Sequence, residues 1–143
     1  TMGMSLKACT VFTTGKESFE IADDEVEIGL GIHGEPGTHR EKMATANEFT
    51  EKLFEKIYAE SNVQKGDRFA VLVNGLGETT LIELFIINNH LQDLLKAKGV
   101  EVAKTLVGNY MTSLDMGGFS ITLLKLDNEM EELLKAEEDT IAF

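Results

Sequence analysis

Cysteine is almost missing from this chain. The lone Cys9 has no partner for an internal disulfide, which fits a reducing compartment and makes the cytoplasm the expected location. Basic residues are scarce as well: 13 Lys and Arg stand against 25 Asp and Glu, a formal net charge of -12. Such an acidic surface repels phosphate backbones and anionic lipid headgroups, so nucleic acid and membrane surfaces are excluded as expected partners. No apolar run is long enough to span a bilayer, and no signal peptide opens the chain. The three histidines lie far apart in sequence, so metal-ligand spacing is missing and no metal is expected. No serine sits on a strand-to-helix elbow, and there is no repeat and no low-complexity segment.

What is present reads as one domain, residues 1–143, with an ordinary 43% hydrophobic and 27% charged content. The start is unusual, because Thr1 precedes Met2 and an apolar strand follows at once. That is expected of a cut or engineered piece; the alternative is a cloning scar ahead of a native Met2.

Alternation predicts a strand over residues 4–11, and a short one around Phe19 and Ile21. A third runs from Val26 to His33, with Val26, Ile28, Leu30 and Ile32 on one face. Helical spacing of Met43, Ala46, Phe49, Leu53 and Ile57 predicts an amphipathic helix to about Tyr58. The continuous apolar run Phe69–Val73 reads as a strand buried on both faces. A helix over 81–98 follows, buried through Leu84, Ile87, Leu91, Leu94 and Leu95 and stopped by Gly99. Strands over 100–107 and 119–126 and a final helix after Asp127-Asn128, with an acidic tail through Asp139, complete the chain. Strands interleaved with helices give an α/β fold: a two-layer sandwich with a mixed sheet and helices packed on it.

Chemistry is most concentrated in Glu27–Gly37. The alternating strand ends in Gly31-Ile32-His33-Gly34-Glu35-Pro36-Gly37, a histidine flanked by glycines before a Pro-Gly turn. A neutral imidazole so placed can act as nucleophile, base or ligand, or simply bond the backbone. If the alternation holds, His33 faces away from the apolar stripe, and Gly29 and Gly31 clear that face for a ligand or another domain. Asn74–Thr80, leading into a helix, has the outline of a phosphate-binding turn, but it carries no lysine and Glu78 opposes an anion. His39 is expected in solvent and His90 at a packing or surface position. Tyr110, Thr112, Ser113 and Asp115 either line a pocket or bond their own loop.

Three ordered blocks carry a family resemblance: Gly31–Gly37, Leu72-Val73-Asn74-Gly75-Leu76-Gly77, and Leu106–Leu114 continued by Phe119–Leu124. Together they resemble the substrate-binding subunit of dihydroxyacetone kinases, and cover only the C-terminal of its two domains. The resemblance implies a sheet of about six strands and an enzyme of glycerol and dihydroxyacetone metabolism. By motif, His33 attacks the carbonyl of dihydroxyacetone to form a reversible hemiaminal, with Gly34 and Glu35 as further substrate-site candidates. Gly31 and Gly34 would leave the ring uncovered.

No cofactor is implied on this chain. ATP or ADP with Mg belongs to a partner subunit or domain, or a phosphotransfer system supplies the phosphoryl group. The substrate's acid–base residues lie in the N-terminal domain, so the isolated piece is expected to have no kinase activity, and the full-length protein to form a homodimer. The alternative is a catalytically silent paralogue that binds the same ketone and acts as a coactivator through a transcriptional regulator.

Overall fold

The computed structural model describes residues 1–33, 35–137 and 139–141. Its centre is a six-stranded mixed sheet in the order β5-β4-β1-β8-β6-β7. These strands are β1 (Met2–Lys7), β4 (Glu25–Ile28), β5 (His39–Lys42), β6 (Arg68–Gly75), β7 (Glu101–Gly108) and β8 (Gly117–Leu126). A separate hairpin joins β2 (Thr10–Val11) to β3 (Lys16–Glu17). Among the described residues only β6 and β7 pair in parallel within the large sheet, and α2 (Leu81–Ala97) makes the crossover between them.

Two helices, α1 (Ala46–Glu60) and α2, cover one face. Register explains why. Met4 lies opposite both Ile28 and Phe119, and Val73 opposite Ile121. These side chains form one apolar layer, and Phe49, Leu53, Phe54 and Ile57 of α1 pack on it with Leu84, Ile87, Leu91 and Leu95 of α2. Each helix starts on a capping box, Thr45 with Glu48 and Thr80 with Glu83. The short α3 (Asn128–Leu134) buries no residue fully.

Several expectations change in detail. The first strand ends at Lys7 rather than Val11, because its pairing with β8 shifts register between Ser5 and Lys7. Ala8 and Cys9 then both turn inward, the latter into a small second cluster with Leu30, Leu76 and Met116. Phe19 packs against that cluster instead of sitting in a strand. The third strand stops at Ile28, where Gly29 takes φ +82 and turns the chain out of the sheet. Edge strand β5, His-Arg-Glu-Lys, carries no apolar alternation and so gave no sequence signal. Met43 precedes α1 and is exposed, whereas Phe54 is fully buried. Strand β6 is buried on alternate residues up to Val73, so only its helix-side face is closed.

Candidate functional site

The face opposite α1 and α2 carries no helix over its centre and is built from small and polar side chains. Gly3, Ser120 and Asn74 form one row across β1, β8 and β6, and Leu72 and Thr122 form the next. The loop over residues 29–38 folds over the β1 end of these rows. Between loop and sheet lies a cleft of about 290 Å³, with Gly3, Leu72, Asn74, Ser120, Thr122 and His33 in its wall.

The loop is pinned at both ends. Gly29 N–H donates to Gly3 O at 2.7 Å, and Thr38 N–H to Ile28 O at 2.7 Å. The buried carboxylate of Glu27 accepts from Gly37 N–H at 2.6 Å and faces Arg40 Nε at 3.3 Å. From across the molecule, Ser113 Oγ donates to Ile32 O at 3.0 Å. The residue next to His33 is therefore fixed although His33 itself protrudes.

His33 stands at the tip with its side chain 80% exposed. Glu35 is its partner: Oε2 accepts from the His33 N–H at 2.9 Å, and Oε1 lies 3.4 Å from Nδ1. The backbone N–H of Glu35 itself, and then that of His33, hold the Glu35 carboxyl below the usual carboxylate range. A carboxylate beside Nδ1 favours the proton there and leaves the Nε2 lone pair to meet an electrophile. Gly34 lies outside the described residues.

The glycines do not clear the face for a ligand, as the alternation suggested. A Cβ on Gly31 would fall within contact distance of the Glu35 carboxylate, and one on Gly29 would meet Thr38. Gly31 makes room for Glu35, and only through it for the ring.

The other candidates resolve into supports. Asn74, 2% exposed, accepts from Tyr110 N–H and Met111 N–H through Oδ1 and donates to Met111 O through Nδ2. Asp115 accepts from Thr10 N–H at 2.6 Å and Ser113 bonds Ile32, so both side chains support backbone, while Thr112 and Ser113 also line a second hollow beside His33. Met111, not Tyr110, reaches the cleft wall.

The Asn74–Thr80 turn has no room for a phosphate. Side-chain positions at Gly75 and Gly77 are taken by Asn109 and by the Leu114 carbonyl, and Thr79 Oγ1 exchanges hydrogen bonds with Gly118. His39 Nδ1 lies 2.9 Å from Thr38 Oγ1, and His90 Nε2 lies 2.8 Å from Glu51 Oε1 on α1. Among the described residues no cluster of His, Cys, Asp and Glu fits a metal, and no helix is long and apolar enough to cross a membrane. Glu27, Asn74 and Ser113 were not singled out from sequence as loop supports, because each works through a residue distant in the chain.

A family model, the Dak1 domain, matches residues 1–142. The chain belongs to the Dak1 family. It is 49% identical over its whole length to the dihydroxyacetone-binding subunit DhaK of PTS-dependent dihydroxyacetone kinase 1 from Listeria innocua, covering 44% of that protein. The chain thus spans less than half the length of the curated relatives it matches. Among solved structures, the Dak1 domain here resembles the dihydroxyacetone kinase operon co-activator Dha-DhaQ, with TM-score 0.84, 38% identity, 92% of this chain and 41% of that one. It also resembles the dihydroxyacetone kinase from C. freundii in complex with AMP-PNP and Mg2+, with TM-score 0.75, 27% identity, and coverage of 95% and 25%.

Proposed function

We propose that this Dak1 domain is the C-terminal part of a dihydroxyacetone-binding kinase subunit, and that His33 holds the ketone covalently. The observation that carries the reading is the His33–Glu35 pair, an exposed imidazole beside a cleft with a carboxylate against Nδ1. The Nε2 lone pair attacks the carbonyl carbon; an N–C bond forms, and the C=O π pair moves to oxygen, which takes a proton. The ring carries positive charge until its Nδ1 proton is lost to solvent, and Glu35 stabilises that charge meanwhile. The product is a neutral hemiaminal, and reversal returns the ketone intact. Glycerol has no carbonyl to attack, so capture selects against it where hydroxyl contacts alone discriminate poorly. Gly34 remains a proposed contact by motif.

Phosphoryl transfer requires a nucleotide with Mg2+ or a phosphotransfer donor. We assign that to a partner subunit, in the cytoplasm and in dihydroxyacetone metabolism, and the acid–base residues to the N-terminal part of the subunit. Full-length protein is proposed to be a homodimer. The chain alone, mixed with a nucleotide-binding partner and ATP-Mg, is expected to form no phosphorylated dihydroxyacetone. The co-activator likeness favours a second reading, a ketone-sensing domain without kinase function. Its full-length protein would bind the ketone yet yield no product with any partner subunit.

Calorimetry tests the binding step. Dihydroxyacetone is expected to bind and glycerol not to, with His33→Ala abolishing the difference. Equal binding of both ligands to the unaltered chain would refute it.

A further inference from the structure

The peptide unit between Ile32 and His33 is held on both of its edges. Its carbonyl oxygen accepts from Ser113 Oγ at 3.0 Å, and its N–H donates to Glu35 Oε2 at 2.9 Å. The other oxygen of that carboxylate, Oε1, lies 3.4 Å from His33 Nδ1. Ser113, 81 residues along the chain from Ile32, thus reaches the imidazole through one peptide and one carboxylate. A donor on the carbonyl polarises the amide and strengthens the bond its N–H makes. It also fixes the direction in which that N–H points.

The Ser113 hydroxyl is itself aimed. Ser113 N–H donates to Leu76 O at 2.8 Å, and its carbonyl accepts from Met116 N–H at 3.1 Å. Leu114 follows with φ +55, in the left-handed region that a leucine rarely takes. Its side chain is 60% exposed, so its own packing does not offset that strain. Gly77 accounts for the close fit, because a Cβ there would collide with the Leu114 carbonyl. The turn is kept in a costly shape by its surroundings, and what it delivers is a hydroxyl on Ile32. Strain kept in this way marks functional positions.

We propose that Ser113 is a positioning residue for His33. Its hydroxyl sets the Ile32–His33 peptide, the peptide sets Glu35, and Glu35 keeps the ring proton on Nδ1. The inference rests on the capture chemistry proposed above and says what keeps its nucleophile ready. An imidazole with no partner at Nδ1 carries its proton mostly on Nε2, and the attacking nitrogen then has no free lone pair. Which nitrogen holds the proton is set by the bond the other makes. Loss of the Ser113 hydroxyl therefore acts on the tautomer of a ring it does not touch.

Nitrogen-15 NMR of the chain without ketone, at about pH 8 where an ordinary imidazole is neutral, reads the tautomer directly. The unaltered chain is expected to show His33 with a protonated Nδ1 and a bare Nε2. Ser113→Ala is expected to move roughly a third or more of the His33 population to the Nε2–H form. His39 and His90, which have partners of their own, are expected to keep their signals. The same variant is expected to slow ketone capture roughly fivefold, and to add nothing in a Glu35→Gln background, since it acts through that carboxylate. Ser113→Cys, similar in size with a weaker donor, takes its place with the same expectations if Ser113→Ala does not fold. An unshifted His33 tautomer in the folded variant would overturn the proposal, and so would full, additive slowing on top of Glu35→Gln. A chain that captures no ketone would refute the capture chemistry instead, and the tautomer signals, recorded without ketone, would still decide the role of Ser113.

Discussion

His33 has its carboxylate partner two residues along, and the contact leaves both groups largely in solvent. An exposed ion pair adds little to stability, so the Glu35 carboxylate matters for orientation and charge rather than for folding. Glu35→Gln is expected to leave the melting temperature within about 1 °C while slowing ketone capture roughly tenfold or more, measured by the rate of loss of the ketone signal. Gly31→Ala pushes the same carboxylate aside and should slow capture in the same direction. At Asn74 the balance reverses. This buried amide satisfies two N–H groups and a carbonyl of the neighbouring loop, and Asn74→Ala strands them. A loss of about 2–3 kcal/mol of stability is expected by urea titration.

At the scale of elements, packing was easier to read than the loop. Helices α1 and α2 stood out because Phe49, Leu53 and Ile57, and Leu84, Ile87, Leu91 and Leu95, repeat at the helical period and pack on one apolar sheet layer. Strand β5 was invisible, since His-Arg-Glu-Lys carries no apolar alternation; backbone pairing and the cross-strand ion pairs of Arg40 with Glu27 and Lys42 with Glu25 hold it. His33 was singled out by its motif, and the structure places it exposed in the cleft wall. Its attribution to a strand was wrong because Gly29 ends the alternation four residues after β4 begins at Glu25. Glu27, Asn74 and Ser113 were hidden for another reason: they bond loops 10, 36 or 37, and 81 residues away. Local caps are a fair test of the element account. Removing the Thr45 hydroxyl in Thr45→Ala should lower stability by about 1 kcal/mol by urea titration, without altering ketone capture.

For the whole molecule, charge and the two-sided sheet set behaviour. Asp24, Glu35, Glu48, Asp67, Glu83 and Asp115 all have carboxyls held below their ordinary range. The leading causes are Lys42 for Asp24, Lys125 for Asp67, and hydrogen bonds from Thr45, Thr80 and Thr10 for Glu48, Glu83 and Asp115. A carboxyl depressed on folding contributes stability above its unfolded value and loses it as pH falls through the folded one. The melting temperature is therefore expected to hold near neutrality and to fall as pH drops through and below the usual carboxylate range. A melting temperature that rose through that window would contradict the assignment of these contacts. One sheet face is sealed by α1 and α2; the other offers the cleft and His33.

The most direct measurement of the central claim is carbon NMR of dihydroxyacetone labelled at its carbonyl, mixed with the unaltered chain and with His33→Ala. Conversion of the ketone signal to that of a saturated carbon, present in the first and lost in the second, is the result predicted for covalent capture by His33. A ketone signal that persists with the unaltered chain, or converts equally with His33→Ala, would contradict it.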